Sequence, residues 1–392
     1  MPGAFARRWL LLFAGLLALT APFRYQLLPN VGQWLRPTLE AGLTAVAGGG
    51  LPGHSAALFS DSPGLWLYAG LLLAGTALAA GAWAGWARPT PAGEARLWYG
   101  LHTGAAWFLA LHLLLYGFDK VFKSQFYLPE PNTLYTPLGQ LSPDLAYWSL
   151  MGTSYTYSVF AGLLEVGPGL LLLWGRTRLV GGVLALAVLA NVLALNFGFD
   201  ISVKLWSGFL LGLAGVVAAP GLYTAYFALV VREWRPAGPW RPARWSGRLV
   251  GAGRGLLLGL LLLETAGRFV TAGRFNDDNA ARPPLHGAYA VVPLQPAATL
   301  APVRVFVHRR GYFITQAADG RLQDYALRYA PGRLLLRGPA GPAGTLRYTP
   351  DSAGLYLTGT LGPDSVRWLA RPLPWRELPL LRGWHWTTAT GE

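Results

Sequence analysis

The chain has 392 residues, 53% hydrophobic and 13% charged, with 17 each of Trp, Tyr and Phe, a composition that fits a polytopic membrane protein. Its formal charge of +14 does not mark a nucleic-acid binder, because the arginines lie scattered through loops between apolar runs; membrane orientation is the better account of them. With no cysteine, disulfides, thiolate nucleophiles and cysteine-ligated clusters are excluded, so any redox role needs a bound cofactor or a partner.

Arg7 and Arg8 precede the apolar run Trp9 to Pro22, read as a retained first span with a cytoplasmic N-terminus; a cleaved signal peptide is the alternative. Arg24 to Gly64 reads as an exoplasmic loop with one short helix near Thr38 to Val46. Spans follow at Leu65 to Trp86, inward, and at Leu97 to Phe118, outward. Gln125 to Tyr157 is proline-rich and aromatic, with Ser142-Pro143 as cap and first-turn pair of a short helix, and suggests a lid on the membrane surface. Further spans are expected at Thr156 to Trp174, Leu179 to Phe197 and Ile201 to Ala219, before Pro220-Gly221 breaks the pattern.

Leu222 to Trp234 suggests an interfacial helix leading into the basic stretch of Arg232, Arg235, Arg241, Arg244 and Arg248, which the positive-inside rule places in the cytoplasm. A seventh span over Leu249 to Val270 carries Arg254 and Glu264. From His286 short alternating segments separated by Gly, Pro, Asp and Ser turns predict a small antiparallel sheet or barrel of about six to eight strands. The expected organisation is therefore an α-helical polytopic membrane protein of about seven transmembrane helices followed by a small antiparallel β-sheet or barrel domain. Residues 1–96 hold two helices and a loop, 97–220 a four-helix core, 221–248 a basic segment, 249–272 the seventh helix and 285–392 an exoplasmic all-β domain.

Gly117-Phe118-Asp119-Lys120-Val121-Phe122-Lys123 recurs in outline as Gly198-Phe199-Asp200-Ile201-Ser202-Val203-Lys204. The Asp-x-x-x-Lys spacing places acid and base one helical turn apart, the order that favours an ion pair, and Glu264 and Arg268 repeat it. Two readings remain open. Asp119, Lys123, Asp200 and Lys204 anchor helix ends at the interface, or the two copies face one another across a polar mouth to which Lys120 adds charge.

Glu165 falls about 13 Å below the outer end of its span, where a carboxylate needs a partner or a proton. Asn191, about 9 Å below the outer end of the next span, is the expected partner, with Asn196 in the same outer half. Pro168 frees the carbonyl of Leu164 nearby. The functional reading is a headgroup pocket for a quinone or similar lipid-soluble ligand; the structural one is an interhelical hydrogen bond. His102 and His112 point about 80° apart and cannot grip one metal, so no metal site is expected. Gly48-Gly49-Gly50 lacks a phosphate-loop ending. His308, Arg309 and Arg310 read as a solvated strand face or an anion site.

The block from Trp98 to Pro220 resembles the four-helix core of the DoxX-like family. What carries it is Gly117 to Lys123, then Gly162-Leu163-Leu164-Glu165-Val166-Gly167-Pro168-Gly169 running into Leu173-Trp174-Gly175-Arg176-Thr177-Arg178-Leu179. Asn196 to Lys204 is further similar to the longer DoxX-like proteins of Bacteroidetes-type bacteria. The resemblance implies a bacterial inner-membrane protein, a quinone-contacting or accessory subunit of a membrane oxidoreductase assembly, and brings no catalytic residue set. In that reading Glu165 and Asn191 shape the pocket, the Asp-Lys pairs set the charge of its mouth, and the β domain docks the partner. The alternatives are a small-solute or anion transporter and a structural or envelope-stress platform for the β domain.

Overall fold

The computed structural model describes residues 3–21, 23–47, 57–87, 90–235, 248–294 and 301–382. Gly48-Gly49-Gly50, Arg241 and Arg244, and the tail from Gly383 lie outside them. The chain divides into two compact units, one of Met1–Gln125 with Val159–Phe275, the other of Phe126–Ser158 with Asn276–Glu392.

The first unit is helical. It contains α1 (Ala4–Thr20), α2 (Val31–Ala47), α3 (Pro63–Trp86), α4 (Pro91–Val121), most of α7 (Tyr155–Leu172), α8 (Arg178–Gly198), α9 (Lys204–Tyr226) and α10 (Arg248–Ala272). Helices α5 (Pro131–Leu134) and α6 (Pro143–Thr153) belong to the second unit. Helix starts follow local chemistry. The Ser62 hydroxyl accepts the Leu65 N–H with Pro63 opening α3, and the Thr90 hydroxyl accepts the Gly93 N–H with Pro91 opening α4. Ser142-Pro143 opens α6 as the sequence predicts, although the Ser142 hydroxyl turns to Asp144 and not to the helix backbone.

Among the described residues six helices, α3, α4 and α7 to α10, are long and apolar enough to cross a bilayer, one fewer than the expected seven. The shortfall is at α1. Its 17 residues reach about 25 Å against an apolar layer of about 30 Å. Arg8 within it is buried, donating from Nε to Glu94 Oε1 at 2.9 Å and from a terminal nitrogen to the Trp83 carbonyl at 2.9 Å. Pro220-Gly221 does not end the sixth span either: α9 runs through it to Tyr226 and closes with a π-turn over Phe227–Val231, in place of a separate interfacial helix. One proline removes a single N–H, and Gly221 packs where an added Cβ would stand 2.3 Å from Leu179 Cδ1, so α9 stays pressed against α8.

Helix α4 is the centre of this unit: 67% of its apolar stretch is buried, against 17–39% for the other five. Leu109, Leu113 and Leu114 from α4 pack with Leu210, Leu213, Ala214 and Val217 from α9 in one core.

The second unit is a closed eight-stranded barrel in which each strand pairs antiparallel with its neighbour in sequence and β1 closes on β8. Its strands are β1 (Gly287–Pro293), β2 (Arg304–His308), β3 (Tyr312–Gln316), β4 (Leu322–Ala330), β5 (Arg333–Gly338), β6 (Gly341–Asp351), β7 (Gly354–Leu361) and β8 (Asp364–Pro372). The strand period of two sends Val305, Val307, Phe313, Leu327, Leu334, Leu336, Leu346, Leu357, Val366 and Trp368 into a filled interior. On the outer side of β1–β3, Ala288, Phe306 and Ile314 form a separate apolar patch covered by Leu128, Leu134, Tyr135 and Trp375. The segment expected as a lid within the 97–220 core thus belongs, from Phe126 to Ser158, with the barrel.

Candidate functional site

Gly117 on α4 and Gly162 on α7 set the central crossing. A Cβ on Gly162 would stand 2.6 Å from the Gly117 carbonyl oxygen and 2.8 Å from the Val121 nitrogen. One on Gly117 would stand 3.0 Å from the Gly162 carbonyl oxygen. With the backbones in direct contact, the residues one turn beyond each glycine, Lys120 and Glu165, meet. Lys120 Nζ donates to both carboxylate oxygens, at 3.0 Å and 2.8 Å, and both side chains are buried.

Lys120 ends a stripe of four residues at helical spacing on α4: Phe108, His112, Tyr116 and Lys120. The Lys120 ammonium lies 5.8 Å from the Tyr116 ring centre, and the Tyr116 and His112 rings are 6.4 Å apart. His112 is fully buried, with Nδ1 against the Phe108 carbonyl at 3.0 Å. Only an Nδ1–H can satisfy that carbonyl, so Nε2 is an acceptor and takes the Tyr25 hydroxyl at 3.2 Å. Phe23 and Trp206 close around His112 with ring centres at 4.9 Å and 5.2 Å, and the Trp206 indole N–H is buried beside the Tyr116 hydroxyl. The loop that brings Phe23 and Tyr25 inward is fixed by Glu264 of α10, whose carboxylate accepts the N–H groups of Gln26, Leu27 and Leu28 at 2.6, 2.7 and 3.1 Å. A cation, a carboxylate, a phenol, an imidazole and an indole donor therefore line one side of α4 among apolar helices.

The expected pairings change accordingly. Glu165 pairs with Lys120 and not with Asn191, which is exposed on α8. Asn196 is buried and donates to the Ser207 hydroxyl at 2.9 Å, tying α8 to α9. Of the three acid-x-x-x-base pairs, Asp200 and Lys204 join each other at 2.8 Å. Asp119 pairs with Arg268 and accepts from the Ser124 hydroxyl, while Glu264 holds the backbone of residues 26–28. Asp61, absent from the sequence reasoning, accepts the N–H groups of Lys204 and Leu205 and lies 3.8 Å from Lys204 Nζ, so it caps α9.

The two Gly-Phe-Asp copies are not equivalent in three dimensions. In the first the helix continues through Asp119 to Val121 and the left-handed residue is Lys123, φ 55°; in the second the helix stops at Gly198 and the left-handed residue is Asp200, φ 51°. Lys123 is itself fully buried.

No family model and no solved structure matches the chain. A curated relative, the uncharacterized protein YwoB of Bacillus subtilis, is 29% identical over 106 residues. The match covers 25% of this chain and 61% of that protein.

A signal for Lys120 does exist in the sequence. The chain has only three lysines, Lys120, Lys123 and Lys204, all in the two Gly-Phe-Asp copies, while every other cation is arginine. His102 serves packing: its Nε2–H donates to the Val217 carbonyl at 2.7 Å and joins α4 to α9. Among the described residues no group of three His, Cys, Asp or Glu could hold a metal ion.

The second unit holds another buried polar cluster. Glu130, at the start of α5, accepts from His286 Nε2 at 2.9 Å and from the Arg309 N–H at 3.2 Å, with the Arg309 guanidinium at 3.4 Å and His308 Nε2 at 3.9 Å. Burial pushes the Glu130 carboxyl up, but the hydrogen bond from His286, the nearby His308 and the Arg309 N–H together hold it below the usual carboxylate range. Burial pushes His308 down against the pull of Glu130, and Arg310 and Arg309 push the same way as burial. His308 Nδ1 accepts the Arg310 N–H at 3.0 Å, so its Nε2 carries the hydrogen and is no metal ligand. All these groups are matched, and the cluster reads as the fastening between residues 126–135 and the barrel. A cleft of about 640 Å³ at one end of the barrel is lined by Thr315, Arg321, Gln323, Tyr325, Asp364 and Trp368.

Proposed function

We propose that the chain is a DoxX-like inner-membrane protein acting as an accessory, quinone-contacting subunit of a membrane oxidoreductase assembly. Its N-terminus would be cytoplasmic and its barrel exoplasmic, facing a partner protein. The observation that carries the proposal is the Lys120–Glu165 pair, closed at 2.8 Å inside an apolar helix bundle. Burying two charges in such a place costs stability that the pair alone does not return, which favours a role beyond packing. The neighbouring groups suit a quinone headgroup. Trp206 offers a buried N–H to a carbonyl oxygen, Lys120 offers a charged donor, and Phe23, Phe108 and Tyr116 offer apolar ring faces. In this reading the chain holds and orients the ligand while the partner supplies the electrons.

The test is the quinone co-purifying with the full chain in native-lipid discs, for wild type, Glu165→Gln and Trp206→Phe. Enrichment over the lipid background that falls in both variants is expected. No enrichment in the wild type, or enrichment unchanged in both variants, refutes the proposal.

The platform reading has one observation of its own. Residues 126–158, which run from beyond α4 into the first turn of α7 in sequence, form one unit with the barrel, so the second unit is built from two separate stretches of chain and not from a single appended domain.

A further inference from the structure

The arginines that look scattered in sequence are aligned by the barrel register. Arg333 of β5 stands opposite Arg347 of β6, Arg347 opposite Thr358 of β7, and Thr358 opposite Arg367 of β8. All four positions alternate with interior residues, Leu334, Leu346, Leu357 and Val366, so the row lies on the outer face. Arg328 on β4 and Arg337 on β5 flank it on the same face, and all five arginines are exposed. Leu335, 41% exposed, sits between Arg333 and Arg337 on that face.

Such a row is costly to the barrel by itself. Directly opposed like charges in neighbouring strands destabilise a sheet, and among the described residues no acid lies within ion-pair distance of any of the five. The rest of the outer surface is built differently. Around β1–β3 it is apolar and already covered by residues of the 126–135 segment, and Arg309 there is matched by Glu130 and Asp277. Unmatched cations are concentrated on the bare side.

We propose that the outer face of β5–β8, through Arg333, Arg347 and Arg367 with Leu335 between the flanking arginines, docks on the anionic phospholipid headgroups of the membrane that the same chain crosses. Three features favour lipid over another polyanion. The row is about three strand spacings, roughly 15 Å, across, wide enough to meet several headgroup phosphates, and each guanidinium can grip a phosphate through two parallel hydrogen bonds. An exposed leucine among arginines fits the boundary between headgroups and acyl chains. The chain between α10, ending at Ala272, and β1, starting at Gly287, cannot extend beyond about 50 Å, so a bilayer surface is always within reach at high effective concentration. Each arginine near an anionic surface strengthens binding roughly fivefold, so the three together are worth on the order of a hundredfold. The inference is independent of the quinone reading and leaves the remaining barrel surface for a protein partner.

The test is hydrogen exchange of the full chain in discs of phosphatidylcholine alone or mixed with phosphatidylglycerol, at low and high salt. Peptides of β5–β8 are expected to be protected by phosphatidylglycerol at low salt, with the protection lost at high salt and in R333Q/R347Q/R367Q. The variant R321Q, which removes an exposed arginine paired with Asp319, is expected to keep it. Equal thermal unfolding of the triple variant and wild type in detergent shows that the barrel is intact; should the triple variant unfold, R347Q alone serves, with a loss of about fivefold in the lipid effect. Exchange that ignores phosphatidylglycerol overturns the proposal. So does protection that appears only on adding an acidic protein, or protection that the arginine variants retain.

Discussion

Replacing Lys120 with methionine leaves Glu165 buried against apolar helices, and the structure gives the size of the effect. At 2.8 Å the attraction between the two groups is about 6 kcal/mol for an effective dielectric constant of about 20, and desolvation of both charges offsets most or all of it. The pair therefore adds little net stability, yet breaking it leaves a carboxylate with no cation. Lys120→Met or Glu165→Leu alone should each cost about 3–5 kcal/mol, whereas K120M/E165L together should cost less than either single change. The implied coupling is about 3 kcal/mol or more, of opposite sign to the single losses. Reversible unfolding of the full chain in mild detergent or bicelles, followed for all four forms of the cycle, measures it. Single variants that each lose less than about 1 kcal/mol, or losses that simply add in the double variant, would refute the argument that these charges are mutually dependent.

Gly162→Ala should cost about 1–3 kcal/mol by forcing α4 and α7 apart, and should weaken the Lys120–Glu165 coupling in the same cycle. Gly167→Ala, where an added Cβ meets nothing within 4 Å, should be neutral or stabilising, so equal losses in the two variants would discard the close-crossing account. Glu130→Gln should remove about 1.5–3 kcal/mol from the attachment of residues 126–135 to the barrel, read as faster hydrogen exchange there. The pH dependence follows from two depressed groups. Stability tied to Glu130 is present above its ordinary value and is lost as pH falls through its lowered one. Stability tied to His308, held neutral in the fold, starts to fall below about 6.5. In Glu130→Gln the loss at the acid end should disappear; an unchanged profile there contradicts the assignment.

How much of this was legible in the sequence depends on whether the signal was local. Helices with a capping residue and proline, such as Ser142-Pro143, and strands between Gly-containing turns, such as β3 before Asp319-Gly320, were readable because their causes lie within a few residues. Strand β6 is poorly marked in the sequence because Pro342, Gly344 and Pro350 argue against a strand; its pairing with β5 and β7 overrides them, and Gly344 is needed where a Cβ would stand 2.1 Å from the Thr360 oxygen. Glu165 stood out as a carboxylate in an apolar run, but its partner did not, since depth along separate helices says nothing about where they cross; the Gly117–Gly162 contact decides that. The Gly-Phe-Asp-x-x-x-Lys pattern is a related case: four matched residues do not fix where a helix ends. Glu130 gave no warning at all, its partners His286 and Arg309 being 156 and 179 positions away.

That separation has a consequence for biogenesis. Leu128, Leu134 and Tyr135 leave the ribosome long before the strands they cover, and four membrane-crossing helices, α7 to α10, are made in the interval. Until β1–β3 arrive, those apolar side chains and the carboxylate of Glu130 have no native partners, a state open to proteolysis or to capture by a chaperone. Docking of the finished barrel onto the waiting segment therefore comes late, after every intervening helix has been made.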